Sequence, residues 1–238
     1  MNPSPSIVIT GGFGALGSAI GMAAADAGAR VCLIGHGAAP EAAALRAQIQ
    51  YIGNVDLTDP EAALAALQQA GALLDGIDAL VNVAGGFQWQ TLGGDAYDAW
   101  DRMYAMNLKT AVLATRAALP WLRARPSARI VNVGATAALS AAAGMGAYAA
   151  SKAGVIKLTE ALAAELADAG INVNAVLPSI IDTPQNRRDM PDADPRHWVR
   201  AQDVARVVLF FLGPGAVAVT GAALPVTLGR GTRADTHL

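Results

Sequence analysis

A tyrosine and a lysine four residues apart are the side chains of this sequence best suited to move a proton. Tyr148 and Lys152 stand in the segment Tyr-Ala-Ala-Ser-Lys, at the start of an alanine-rich stretch of helical character. Residues at this spacing lie on one face of a helix, so the phenol and the ammonium point the same way. A free tyrosine titrates at about pH 10, and a neighbouring cation favours its phenolate form. The pair is therefore predicted to act as a general acid or base toward an oxygen or nitrogen atom.

A glycine-rich turn near the N-terminus is suited to binding a pyrophosphate. Residues 10–17 read Thr-Gly-Gly-Phe-Gly-Ala-Leu-Gly, between a short β-branched segment and a helical stretch. Glycines let the main chain approach a phosphate, and a helix N-terminus offers unpaired N–H groups and a partial positive charge. This spacing at a first strand–helix junction predicts a dinucleotide-binding turn. The predicted contact residues in it are Gly11, Phe13, Ala15, Leu16 and Gly17.

The second expected strand ends without the acidic residue that usually binds the adenosine ribose. Its last residues are Leu-Ile-Gly-His-Gly at positions 33–37, with no carboxylate. A missing carboxylate removes the repulsion that would exclude a 2′-phosphate. His36 either donates a hydrogen bond to that phosphate or is an exposed turn residue. The sequence thus favours NADP(H) as the cofactor, with NAD(H) as the alternative.

Short apolar strands alternate with longer helical stretches along the chain. Strands are expected at 7–9, 31–34, 49–55, 79–83, 130–133, 173–177 and 224–227, and helices at 15–27, 41–48, 60–70, 96–104, 106–122, 148–168 and 201–212. Strands that are almost wholly apolar are typical of a parallel sheet covered on both faces. We therefore expect one α/β domain over residues 1–238, a doubly wound parallel sheet with helices on both faces (a Rossmann fold). A lid at about 184–200 would follow the sixth strand.

The composition excludes several other classes of protein. With 53% apolar residues and a net charge of −2, the chain is neither disordered nor a strongly basic nucleic-acid binder. A single cysteine, Cys32, rules out an internal disulfide framework, and the surroundings of His197 lack the spacing of metal ligands, so no metal site is expected. No apolar run reaches the ~18 residues of a membrane span, and no signal peptide is visible. We expect a soluble cytoplasmic protein with no nucleic-acid or membrane partner.

Taken together, these motifs resemble the short-chain dehydrogenase/reductase family over nearly the whole chain. The matching segments are residues 10–17, Asp56-Leu57, 82–85, Asn107, Tyr148, Lys152, 172–178 and Thr183. The resemblance implies an NAD(P)(H)-dependent oxidoreductase that acts on a small-molecule substrate. It also implies an association through helices 106–122 and 148–168 into a homodimer or homotetramer.

The resemblance also assigns roles to residues of this chain. Asp56 and Leu57 would contact the adenine, and Lys152 would bind the nicotinamide ribose. Asn107 would hold a water in a proton relay to Lys152, which makes Tyr148, Lys152 and Asn107 the expected catalytic residues. The remaining cofactor contacts would come from the cleft after the fourth strand and from the segment that holds the carboxamide: Ala84, Gly85, Gly86, Pro178, Ser179, Ile181 and Thr183.

The chain departs from the family pattern at the catalytic serine. Alignment on Tyr148 places Ala135 at that position, and Thr136 or Ser140 would have to supply a hydroxyl instead. Dihydropteridine reductase, a branch of the family that also lacks this serine, is similar to the chain in residues 14–18, 83–86, 137–139, 144–145, 176–178, 182–187 and 190–198. This resemblance implies a related site.

The sequence predicts a reductase in which NAD(P)H delivers a hydride and Tyr148, tuned by Lys152, supplies the proton. An acceptor such as a quinonoid dihydropterin or another activated C=N or C=O bond would tolerate the loss of the serine. The alternatives are an ordinary carbonyl reductase or alcohol dehydrogenase, and a protein that senses NAD(P) without turnover. Phe87 and Trp89, after the fourth strand, either stack on a flat heterocycle or seal apolar surface.

Overall fold

A seven-stranded parallel sheet forms the centre of the molecule. The computed structural model describes residues 4–40, 48–93 and 97–228; the expected helix at 41–48 lies outside this part of the chain except for its last residue. The sheet order is β3-β2-β1-β4-β5-β6-β9, with every neighbouring pair parallel. Its strands are β1 (Ser6–Thr10), β2 (Arg30–Ile34), β3 (Ile49–Ile52), β4 (Ala79–Asn82), β5 (Arg129–Val133), β6 (Asn172–Pro178) and β9 (Ala223–Val226).

Helices cover both faces of the sheet. They are α1 (Ala15–Asp26), α2 (Pro60–Leu73), α3 (Tyr97–Tyr104), α4 (Thr110–Arg123), α5 (Gly146–Glu165), α6 (Pro184–Asp189) and α7 (Ala201–Leu212). One buried apolar cluster joins the sheet to α2, α4 and α5, and a second joins it to α1 and α7. The expected doubly wound arrangement is therefore confirmed, because each face of the sheet carries its own core.

Local side-chain chemistry fixes several helix and strand ends. Asp59 caps α2 through its Oδ1 atom, which accepts hydrogen bonds from the amides of Glu61 (2.7 Å) and Ala62 (2.9 Å). The strand expected at 49–55 ends earlier, at Ile52, because Asn54 adopts a left-handed conformation (φ 57°) and its amide donates to the Gly37 carbonyl. Propensity alone does not reveal this turn.

Two features of the helical layer differ from the expected helices. The helices α3 and α4 are joined by a π-helical turn, Ala105–Lys109, that the sequence pattern does not predict. The helix α5 starts before Tyr148, at Gly146, and ends at Glu165; a 3₁₀ turn and Gly170 (φ 68°) follow it.

The segment after β6 forms a small separate structure. Strands β7 (Ile181–Asp182) and β8 (Val199–Arg200) pair in parallel, and α6 lies between them in the chain. Within the part of the chain that the structure describes, no helix is both long and apolar enough to cross a membrane.

Candidate functional site

The glycine-rich turn after β1 has the backbone geometry of a phosphate cradle. Gly11 has φ +63°, and a Cβ there would lie 2.7 Å from the Ala84 amide nitrogen. A Cβ on Gly17 would collide with the Gly11 carbonyl oxygen. Among the described residues, no side chain caps the first turn of α1, so its N–H groups at Ala15 and Leu16 face the carboxyl edge of the sheet without a side-chain acceptor. A helix start of this kind suits an anionic ligand.

Tyr148 and Lys152 lie one turn apart near the start of α5. Tyr148 is partly buried, and its ring meets the ring of Phe87 edge-to-face, with centroids 5.0 Å apart and an interplanar angle of 87°. Burial raises the pKa of the Tyr148 phenol above its ordinary value. The lowered pKa expected from a neighbouring cation is not found, because desolvation is the dominant effect in this structure.

Lys152 is held by the backbone of the sheet. Its Nζ atom is buried and donates a hydrogen bond to the Val133 carbonyl oxygen, 2.9 Å away, at the end of β5. Burial lowers the pKa of Lys152 from 10.5 to about 8. The lysine therefore remains mostly protonated at neutral pH while its charge has little solvent around it.

Asn107 connects the π-helical turn to the loop after β4 and to α5. Its Oδ1 atom accepts from the Gly86 amide (2.9 Å), and its Nδ2 atom donates to the Gly86 carbonyl oxygen (3.1 Å) and to Ser151 Oγ (3.0 Å). Ser151 Oγ in turn donates to the Tyr148 carbonyl oxygen (2.7 Å). Ser151 was missed by the sequence reasoning, although its place directly before Lys152 was a usable signal.

Gly85 lies beside this cluster. A Cβ on it would approach Asn107 Oδ1 to 2.5 Å and the Lys152 ammonium to 3.3 Å. The structure thus brings together the loop after β4, the π-helical turn and the start of α5. The three expected catalytic residues stand on the last two of these elements, so they lie in one region.

No hydroxyl stands at position 135. Ala135 is buried, and the Thr136 hydroxyl makes a long contact of 3.4 Å to the Pro178 carbonyl oxygen. Ser140 is exposed. The donor that would polarise a carbonyl is therefore absent from the position of the family's serine.

The residues expected at the adenosine end lie at the ends of β2 and β3. His36 and Asp56 are exposed, and Leu57 is buried. The pKa of Asp56 is lowered, first by hydrogen bonds from Thr58 and to a smaller extent by the charge of His36. The Phe13 ring packs against the backbone of Gly35, so closely that a Cβ on Gly35 would collide with the ring.

The expected carboxamide-binding segment follows β6. Pro178 is buried, and the Ser179 amide donates to the Val226 carbonyl oxygen (3.1 Å). Ser179 Oγ is buried without a hydrogen-bond partner among the described residues. Ile181 is partly buried in the short β7 strand, and Thr183 Oγ1 caps α6 by accepting from the Asn186 amide (3.0 Å).

These observations fit a bound dinucleotide. The uncapped start of α1 and the glycines that face it suit a pyrophosphate, and the unpartnered Ser179 hydroxyl has an unused hydrogen-bonding capacity. Trp198 is buried, so it offers no open ring face for stacking. Among the described residues, no cluster of His, Cys, Asp and Glu could hold a metal ion.

Comparisons with known proteins agree with this geometry. The sequence pattern of the family described as short chain dehydrogenase matches residues 5–194. The chain is 32% identical to 2-(S)-hydroxypropyl-CoM dehydrogenase 3 of Xanthobacter autotrophicus. The alignment has 239 positions and covers 92% of this chain and 94% of that protein.

Solved structures show the same fold. The chain is similar to the ligand-free aldohexose dehydrogenase of Thermoplasma acidophilum (TM-score 0.84, 26% identity, covering 94% of this chain and 93% of that one). It is also similar to the 3-ketoacyl-(acyl-carrier-protein) reductase of Brucella melitensis complexed with NADH (TM-score 0.83, 26% identity, covering 93% and 96%). The chain belongs to the short-chain dehydrogenase/reductase family and is an NAD(P)-dependent oxidoreductase.

Proposed function

We propose that the protein is a reductase in which the Tyr148 phenol gives its proton to an acceptor that is already electron-poor. The observation that carries this proposal is the combination of a phenol whose pKa is raised by burial with an alanine, Ala135, where a carbonyl-polarising hydroxyl would stand. A phenol that stays protonated at neutral pH is a proton donor and a poor base.

The residues around Tyr148 would divide the remaining tasks. Bound NAD(P)H would supply the hydride. Lys152, anchored on the Val133 carbonyl oxygen, would place a positive charge near the phenol as its proton leaves. Asn107 would position the loop after β4 through its two hydrogen bonds to Gly86.

The dinucleotide would lie across the carboxyl ends of the strands. Its pyrophosphate would lie on the turn Gly11–Gly17 and its adenine near Asp56 and Leu57. Its nicotinamide end would be held by Lys152 and by the segment from Pro178 to Thr183. We propose that NADP(H) is preferred, because the end of β2 carries His36 and no carboxylate that would repel a 2′-phosphate.

The acceptor would need little polarisation by the protein. An unactivated ketone gains much from a hydrogen-bond donor at its oxygen, since removal of one such donor costs about 10²–10³ in rate. A quinonoid dihydropterin, a quinone or an imine-like bond depends less on that donor. The motif resemblance to dihydropteridine reductase makes a dihydropterin the first acceptor to test.

The test is an acceptor panel with the wild-type protein and the Ala135→Ser variant. Oxidation of NADPH and of NADH is followed with quinonoid dihydropterin, a naphthoquinone and cyclohexanone. We expect turnover of the activated acceptors by the wild type, with a lower KM for NADPH than for NADH. Ala135→Ser is expected to raise kcat/KM for cyclohexanone at least about tenfold, because it restores a donor, and to change the activated acceptors little.

Two results would contradict the proposal. One is a wild-type protein that reduces cyclohexanone as efficiently as the activated acceptors. The other is an Ala135→Ser variant with no gain on cyclohexanone although its melting temperature and NADPH affinity match the wild type.

A further inference from the structure

Two stretches of loop that flank Tyr148 are without ionisable residues. Residues 84–93, after β4, and residues 134–147, after β5, include no Asp, Glu, Lys, Arg, His, Cys or Tyr. Ligands of such sheets bind outside the carboxyl ends of the strands, which is where both loops lie. Within these two stretches a bound substrate would meet only uncharged groups.

The loops are joined, so the aromatic side chains on the first have fixed positions. The Gln90 amide donates to the Gly144 carbonyl oxygen (2.8 Å), and the Trp89 indole Nε1 donates to the Ala143 carbonyl oxygen (3.0 Å). Gly144 has φ +75°, and a Cβ on it would collide with the indole. Trp89 therefore lies flat against the second loop.

Two large aromatic side chains are left uncovered beside the catalytic phenol. Phe87 is 56% exposed and Trp89 is 59% exposed. The Phe87 ring already contacts Tyr148 edge-to-face, so a ring laid on Phe87 is also close to the proton donor. Uncovered aromatic surface on an anchored loop gains free energy when a flat apolar ligand covers it.

Charged side chains also lie near these loops and near the lid. Arg102 of α3 donates through Nε to Gln88 Oε1 (3.1 Å), a neutral partner on the first loop. After β6, Arg187 pairs with Asp182 (2.6 Å) and Arg196 pairs with Asp194 (2.8 Å). The Arg102 guanidinium keeps further N–H donors, so the experiment has to separate recognition of a charge from stacking.

We infer that the acceptor is a flat ring and that Trp89 and Phe87, rather than a charged side chain, determine this specificity by stacking on it. The inference rests on the proposed reductase activity, since it names the class of acceptor for the same site. It assigns no proton transfer to either aromatic residue.

Three acceptors with the same activated dicarbonyl group test the inference with the intact protein and NADPH. They are ortho-naphthoquinone, its ring-sulfonated derivative and butanedione, and the rate without enzyme is subtracted for each. We expect kcat/KM for the naphthoquinone to exceed that for each of the others at least about tenfold, the size of one stacking contact. Preference for the sulfonate would overturn the inference and point to Arg102, and preference for butanedione would overturn it as well.

Variants separate stacking from chemistry. Trp89→Leu is expected to raise KM for the naphthoquinone about tenfold with kcat within about twofold, and to leave butanedione unaffected. Phe87→Leu should act in the same direction. Phe210→Leu, at a 49% exposed phenylalanine of α7, is the matched control and should change neither constant.

A binding measurement covers the case in which no acceptor is turned over. Naphthoquinone should quench the fluorescence of the wild type at a concentration at least about tenfold below butanedione, and Trp89→Leu should weaken that binding. Equal binding of the two compounds, or an unchanged KM and affinity in Trp89→Leu, would overturn the inference while leaving the proton-donor role of Tyr148 intact.

Discussion

At the scale of single residues, burial sets the properties of the two groups that would carry the chemistry. The phenol of Tyr148 has a raised pKa and the ammonium of Lys152 a lowered one, and desolvation is the cause in both cases. A buried cation without a carboxylate partner is unfavourable for folding. The site therefore keeps Lys152 at a cost in stability, as expected for a functional residue.

This cost leads to a prediction for Lys152→Met. The folded pKa of about 8 lies below the ordinary value of 10.5, so the unfolded chain binds more protons between these pH values. The contribution of Lys152 to the free energy of unfolding thus rises with pH in this window and is least favourable below pH 8. Lys152→Met should be more stable than the wild type by up to about 3 kcal/mol at pH 7, with the difference shrinking toward pH 10.

Urea unfolding of both proteins at several pH values measures this difference. The raised pKa of Cys32, about 12, changes stability in the opposite direction above pH 9, but it does so in both proteins and cancels in the comparison. A stability difference that does not depend on pH would contradict the buried-charge account of Lys152.

The spacing of Tyr148 and Lys152 was predictable from sequence, but their environments were not. Helical periodicity places both side chains on one face of α5. The partner of Lys152 is a backbone carbonyl, Val133, in a strand that is remote in the sequence, and no local pattern identifies such a contact. The direction of the Tyr148 pKa shift was predicted wrongly for the same reason: it depends on burial, which only the folded structure reveals.

At the scale of elements, the π-helical turn between α3 and α4 is what aims Asn107 into the site. An inserted turn of this kind rotates the side chains that follow it, and such turns occur often at functional sites. Here it gives one carboxamide contacts with Gly86 and with Ser151 at the same time.

Asn107→Ala should therefore impair both stability and turnover. It leaves both backbone groups of Gly86 and the Ser151 hydroxyl with fewer partners, so we expect a loss of about 2 kcal/mol or more in unfolding free energy. We also expect kcat to fall at least about tenfold, since the loop after β4 loses its anchor. Denaturant titration and steady-state kinetics measure the two effects.

Thr110→Val, at the first residue of α4, is the control. It removes a hydrogen bond to the Met106 carbonyl oxygen (2.8 Å) that stays within the helix. It should cost less stability than Asn107→Ala and leave kcat near the wild-type value. Equal losses of kcat in the two variants would mean that Asn107 acts only by supporting the helix.

Element types were predicted well and irregular segments poorly. The Asp59 cap and the apolar strands follow from local chemistry. The early end of β3 depends on the left-handed Asn54 and its bond to Gly37, and the pairing of β7 with β8 joins residues on either side of α6. Both are tertiary contacts, so propensity carries no signal for them.

At the scale of the whole molecule, the alternation of strands and helices was enough to predict a doubly wound parallel sheet. The strand order was not predicted: the chain builds outward from β1 through β2 to β3 and then crosses back to place β4 on the other side of β1. The reversal point lies between β1 and β4, where Thr10 Oγ1 accepts from the Val83 and Ala84 amides (3.1 and 3.2 Å). This is also where the cofactor turn meets the loop after β4.

We further propose that α4 and α5 form a symmetric interface with a second copy of the chain. Their outer faces line a groove of about 230 Å³ with apolar residues and a polar rim. The apolar lining comes from Val112, Leu119, Leu158, Ala161 and Leu162, and the charged rim from Arg116 and Glu165. A two-fold axis through such a groove would bring the small and apolar faces of four helices together.

Leu158→Glu should dissociate this assembly, because it would bury an unpaired carboxylate from each copy in an apolar contact. Light scattering coupled to size-exclusion chromatography should give the Leu158→Glu variant a lower molecular mass than the wild type. Leu64→Glu, at a 46% exposed leucine of α2, should leave the mass unchanged. A wild-type protein that is monomeric at micromolar concentration would contradict the proposal.

The central claim is that the Tyr148 phenol donates the proton during reduction, and Tyr148→Phe tests it most directly. NADPH oxidation is measured with the best acceptor of the panel, together with the affinity of each protein for NADPH. We predict that kcat falls by about 10²–10⁴ while NADPH affinity stays within about threefold of the wild type. A Tyr148→Phe variant that binds NADPH normally and turns over within a few-fold of the wild type would contradict the account.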